Sequence, residues 1–177
     1  MKPAPEMLLE TTRFNVERIH QSLQDGSIRA REVVRHPGSV VIVPEVDADH
    51  VCLIHNSRVA IDRTLIELPA GTLDPNEDPR DCAFRELTEE TGFHANQMAL
   101  LLSFYPAPGI LDERMHLFVG TDLTAGEPAR EPGEEIENLV VTWDEAFRMV
   151  RENEIVDAKT IVGLFHYRMW RDQNPIA

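Results

Sequence analysis

Acidic residues are dense in GTLDPNEDPRDCAFRELTEETGF, residues 71–93, where Glu77, Glu86, Glu89 and Glu90 stand close together. Side chains three and four apart share a helix face. A helix here would therefore gather Glu86, Glu89 and Glu90, and turn Ala83, Phe84 and Leu87 to a core. Like charges on one face repel, and the arrangement becomes favourable when a hard divalent cation, Mg2+ or Mn2+, lies among the oxygens. The plain alternative is a solvated acidic face. Arg85 is suited to a charge-assisted, bidentate bond with Glu77 that braces the preceding loop against the helix. A pair of metal ions about 4 Å apart could polarise neighbouring phosphates and lower the pKa of a bridging water. It would also reverse the local charge, so that an acidic surface could hold a pyrophosphate.

The element that must position these groups has clear ends. Asp78 can cap a first turn, Pro79 suits the first helical position, and Gly92 suits a left-handed exit, which predicts a helix over residues 79–91. The whole stretch reads Gx5Ex7REUxEExGU, with U a bulky apolar residue. Gly71, Glu77, Arg85, Glu86, Leu87, Glu89, Glu90, Gly92 and Phe93 fill every defined position. This is the Nudix box, and the chain resembles a Nudix hydrolase. That resemblance implies hydrolysis of a nucleoside diphosphate linked to another moiety, with Mg2+ on the box glutamates. It also implies an α/β (α+β) fold, an α/β/α sandwich around a mixed sheet.

The bulk properties agree with one soluble domain. The 177 residues, 42% of them hydrophobic, can bury an ordinary core. A net charge of −14 argues against a nucleic-acid surface, which needs basic patches. An anionic substrate must instead be met by local arginines and metal. Cys52 and Cys82 have no metal-like spacing and suggest no disulfide framework, which fits a reducing cytoplasm. No apolar run approaches a membrane span or a signal peptide.

Residues 1–12 are Pro-rich and polar and read as a frayed tail. Alternation from Phe14 to Ile19, a turn at residues 24–27 and a second run from Ile28 to Val34 predict a β-hairpin. The expected division is residues 1–36, tail and hairpin, and residues 37–177, the hydrolase domain. Apolar strands follow at Ser39–Pro44 and from His50 to His55. Further strands are expected from Met98, from Met115 and from Leu139, with a mobile loop over residues 124–133. Thr142 and Glu145 form a capping box for one helix, and Asp157 starts another.

The segments VVRHPGSVVIVPEVD and ELPAG are similar to those of the ADP-ribose pyrophosphatase branch of the Nudix family. That narrower resemblance implies the remaining roles. Arg58 and Glu67 would contact substrate, and the Ala70 carbonyl would join Glu86, Glu89 and Glu90 as a metal ligand. Pro108 marks the branch's loop, whose Glu113 lies near the terminal ribose. A loop glutamate, Glu134 or else Glu135, would activate the attacking water, with Glu89 as a further catalytic candidate. Asn56 stands where the branch commonly has a glutamine. The N-terminal sheet would exchange between subunits of a homodimer. The reaction implied is Mg2+-dependent cleavage of ADP-ribose or a related ADP-sugar to AMP and a sugar phosphate. GDP-mannose, dinucleoside polyphosphates and NADH are rival substrates. A non-catalytic nucleotide sensor is the rival outside enzymes, disfavoured by the intact box.

Overall fold

Hydrophobic period explains the centre of the molecule. In the computed structural model, which describes residues 3–130 and 135–174, strand β4 (Ser39–Pro44) is buried along its whole length. Side chains alternate across a strand. Val40 and Ile42 enter a cluster with Cys82, Ala83 and Leu87 of helix α1 (Pro79–Thr91), while Val41 and Val43 enter a second with Leu164 and Tyr167 of α3 (Ala158–Gln173). A strand covered on both faces reads as a continuous apolar run, which SVVIVP is. Helices therefore flank the sheet on either side, as an α/β/α sandwich requires.

The sheet containing β4 has the order β7-β4-β9-β8, with β7 at Ala70–Thr72, β8 at Phe93–Phe104 and β9 at Met115–Ala125. It is mixed: β4 runs parallel to β9 and antiparallel to β7, and β8 runs antiparallel to β9. A second sheet, β10-β5-β6, pairs β5 (His50–Arg58) with β6 (Arg63–Glu67) and β10 (Ile136–Thr142). Helix α2 (Trp143–Arg151) starts at Thr142, whose hydroxyl accepts the Glu145 N–H at 3.2 Å.

The N-terminal region differs from its reading as a frayed tail and a hairpin. Residues Glu6–Glu10 form a strand, β1, beside β2 (Asn15–Ser22) and β3 (Ile28–Arg35). Charge pairing across strands explains why so exposed a segment is held. Arg18 on β2 bonds Glu6 on one side at 3.2 Å and Glu32 on the other at 3.0 Å. The end of β3 joins the loop before β9: the Val34 N–H donates to the Ile110 carbonyl, and Asp112 accepts from Arg35 at 2.8 Å and from the His36 N–H at 2.9 Å.

Two other expectations are corrected. Strand β8 starts at Phe93, not Met98, because Gly92 reverses the chain in the left-handed region at φ 77° and delivers Phe93 directly opposite Ala125. The segment expected as a mobile loop from Thr124 is partly strand, and beyond it the Ala129 N–H and the Arg130 Nε donate to the carbonyls of Glu89 and Glu90 at 3.0 Å each. Unpaired carbonyls at the end of α1 supply the partners.

Candidate active site

Helix α1 carries the acidic residues, and its ends are as its sequence predicts. The Asp78 side chain accepts the Arg80 N–H at 2.8 Å, Pro79 opens the helix, and the Gly92 N–H closes onto the Thr88 carbonyl. Arg85 binds Glu77 through Nε and Nη2, both at 2.9 Å, and Glu77 also accepts the Asp74 N–H. The guanidinium holds the Glu77 carboxyl down to about 2, so the brace is ionised at neutral pH. Arg85 reaches further than its sequence suggests: Nη1 bonds Glu86 at 2.7 Å and Glu89 at 3.0 Å.

The glutamates also meet the strand that precedes them. The buried Glu90 accepts the Ala70 N–H at 3.0 Å. Glu86 lies directly over Gly71, where an added Cβ would fall 1.8 Å from its carboxyl carbon. Only glycine leaves that carboxylate in place. Gly71→Ala is therefore expected to displace Glu86 and to lower kcat roughly 10²-fold, the order that a small misplacement can cost. Undiminished steady-state turnover in that variant would separate Glu86 from the chemistry.

Among the described residues, no group of three or more His, Cys, Asp or Glu side chains converges in a metal-holding constellation. The donors fit a hard divalent cation in kind, being carboxylate oxygens one helical turn apart beside a backbone strand. In this arrangement Arg85 supplies positive charge to Glu86 and Glu89. The side chain of Glu89 is about a third exposed, that of Glu86 much less.

Arg58, at the end of β5, forms a bidentate pair with Glu67: Nε to Oε1 at 2.8 Å and Nη2 to Oε2 at 2.5 Å. Glu67 is fully buried, so its carboxylate meets Arg58 and Lys159 and not solvent. Its Oε2 also accepts from Lys159, which lies 3.0 Å from Asp157. The hydrogen bond to Glu67 raises the Arg58 pKa, and the charge of Glu90 adds to it. Three residues beyond Glu67, the Ala70 N–H donates to Glu90, so the Arg58 partner and the acidic helix meet the same short segment. Sequence reasoning missed Lys159. One local sign exists: a cation in the first turn of a helix opposes the helix dipole, so Lys159 needs an acidic partner.

Other candidates are placed less centrally. Glu113 accepts from the Ser39 hydroxyl at 2.7 Å and lies 3.6 Å from His36. Pro108 is exposed on the loop that meets β3. Glu134 lies outside the described residues. Glu135 lines an open cavity of about 580 Å³ with His55, Ser57, Thr64, Ile136 and Glu137, beside the end of β5 that carries Arg58. Strand alternation separates Glu137 from its neighbour. Glu137 pairs with His55, while the Asn138 amide donates to the Thr91 carbonyl of α1 at 2.7 Å.

The NUDIX domain matches residues 35–162. The chain belongs to the Nudix hydrolase family. As a Nudix hydrolase it is an enzyme, and its relatives include named hydrolases. It is 36% identical over 149 residues to a methanol dehydrogenase activator of Bacillus methanolicus, covering 83% of this chain and 80% of that one. It is 35% identical, with the same coverage, to an ADP-ribose pyrophosphatase of Bacillus subtilis. A solved structure of an ADP compounds hydrolase superposes with a TM-score of 0.86 at 24% identity over 99% of this chain and 95% of that one, which shows the shared fold. No helix of the described residues is long and apolar enough to cross a membrane.

Proposed function

We propose that this Nudix hydrolase cleaves the pyrophosphate bond of ADP-ribose or a related ADP-sugar, releasing AMP and a sugar phosphate. The observation that supports the reading is that Arg58 pairs with Glu67, three residues before the Ala70 N–H that donates to Glu90, so an arginine suited to phosphate and carboxylates suited to a metal are tied to one segment. Similarity to a Bacillus subtilis ADP-ribose pyrophosphatase supports the choice of substrate.

Glu86, Glu89, Glu90 and the Ala70 carbonyl would hold Mg2+, which supplies Lewis-acid polarisation of the phosphates and a lowered pKa for the attacking water. Arg58 takes a phosphate oxygen and orients the diphosphate. Glu77 and Arg85 keep the loop and helix in register. A glutamate of the segment before β10, Glu134 or Glu135, accepts the proton of the water as it attacks phosphorus. Glu113, beside Ser39, would meet the terminal ribose, with Pro108 shaping its loop.

Residues 1–36 serve as an exchanged sheet in a homodimer. Exposed Met7, Leu9 and Ile28 on that sheet, and a domain match that begins at residue 35, support this division. Two buried, unpaired thiols, Cys52 and Cys82, suit the cytoplasm. A monomeric mass by light scattering would refute the dimer.

Hydrolysis of ADP-ribose, GDP-mannose, NADH and a dinucleoside polyphosphate, with products separated by chromatography, tests the activity. ADP-ribose should show the highest kcat/KM, and chelation should abolish turnover until Mg2+ is restored. A higher value for another compound overturns the substrate. Binding of ADP-ribose without turnover would make the protein a sensor.

A further inference from the structure

The buried ion network behind Arg58 has more members than a simple salt bridge needs. Glu67 is fully buried, and its two oxygens accept three bonds: two from Arg58 and one from Lys159. Lys159, itself buried, is tied to Asp157. Asp157 caps α3 by accepting the Thr160 N–H at 2.9 Å and the Thr160 hydroxyl at 2.6 Å, and that hydroxyl accepts the Leu68 N–H at 2.8 Å. The chain of bonds therefore runs from the start of α3, through Lys159 and Glu67, to the most exposed of its side chains. That side chain is Arg58, 37% exposed where Glu67 is 1% exposed.

The chemistry of guanidinium gives this arrangement a direction. Arginine has five N–H donors in a planar fork. Glu67 takes Nε and one side of Nη2, leaving the edge formed by Nη1 and the remaining Nη2 hydrogen. That edge is itself a bidentate fork matched to a phosphate. Two acids, Glu67 and Asp157, balance two bases, Arg58 and Lys159, so the network carries no net charge. Asp157 and Glu67 lie far from each other in sequence, and among the described side chains Lys159 bonds both carboxylates.

We infer that Lys159 is a positioning residue: it locks Glu67 to the start of α3 and so aims the outer edge of Arg58 at a phosphate of the substrate. The inference rests on the proposed diphosphate substrate, with Lys159 acting through Arg58 and not touching the ligand. Loss of Lys159 leaves Glu67 and Arg58 paired but removes the cation that fixes the Glu67 carboxylate, so ground-state capture of the diphosphate suffers first.

The test is a double-mutant cycle on the full-length protein with ADP-ribose. Lys159→Met is expected to raise KM roughly tenfold or more, in line with the cost of a small misplacement, with a smaller change in kcat. Lys159→Arg should recover part of the loss. Arg58→Ala should also raise KM, and adding Lys159→Met to it should change nothing further, because residues acting through one another are not additive. A purely structural lysine would lower the unfolding midpoint and multiply the Arg58→Ala effect. Multiplicative KM effects, or an unchanged KM in Lys159→Met, overturn the inference. If Lys159→Met does not fold, Lys159→Gln, which keeps a neutral donor, takes its place in the cycle with the same criteria. If wild type does not turn over ADP-ribose, the substrate reading fails by itself. The cycle is then read by calorimetric binding of inorganic pyrophosphate, for which the same non-additivity is required.

Discussion

Glu90→Gln should lower kcat by about 10²- to 10³-fold or more, the scale on which one electrostatic contact to a developing charge is felt, while leaving the unfolding midpoint close to wild type. The amide has nearly the size of the carboxylate, and its oxygen can still accept the Ala70 N–H that Glu90 accepts at 3.0 Å. The packing of a residue only 4% exposed is therefore kept. What is lost is the negative charge, which a divalent cation needs and an amide oxygen does not carry. Steady-state kinetics across a Mg2+ titration, beside a thermal melt, separate the two effects. Full activity at saturating Mg2+ would remove Glu90 from the metal assignment. A variant that is both inactive and unfolded would assign it to the fold.

The second large effect is expected in the segment before β10. Loss of a general base costs roughly 10²- to 10⁴-fold, and Glu134→Gln is expected to fall in that range, or Glu135→Gln if the proton goes there. Glu137→Gln is the internal comparison and should stay near wild type. Its pairing with His55 puts it on the face opposite Asn138, whose amide reaches the Thr91 carbonyl of α1. A large loss in Glu137→Gln would instead assign the base to Glu137, which lines the same cavity as Glu135. If none of the three variants loses 10²-fold in kcat, the base is not in this segment.

Both predictions concern residues that were legible to different degrees. Helix α1 could be read completely, from the Asp78 cap to Gly92, because capping and the i, i+4 face are local properties of the chain. Strand β4 was also legible, since a short, β-branched apolar run between turn residues suits a buried strand. The Glu77–Arg85 brace also followed from the sequence, since its partners are eight residues apart. The loop before β10 was less legible. Its register against β5 sets which glutamate faces which way, and a shift of one residue exchanges the faces.

The sequence by itself determined the acidic helix, its family and the residue types available to hold a metal and meet a phosphate. Local spacing and a continuous motif suffice for those. Tertiary structure decided what each charge is paired with. Glu67 and Lys159 are 92 positions apart, and only the packing of α3 against the sheet puts a buried cation under Arg58. Strand β1 is held by an arginine that bridges three strands, and the close approach of Glu86 to Gly71 depends on how α1 lies across β7. Such contacts are long-range, and no periodicity in the chain encodes them.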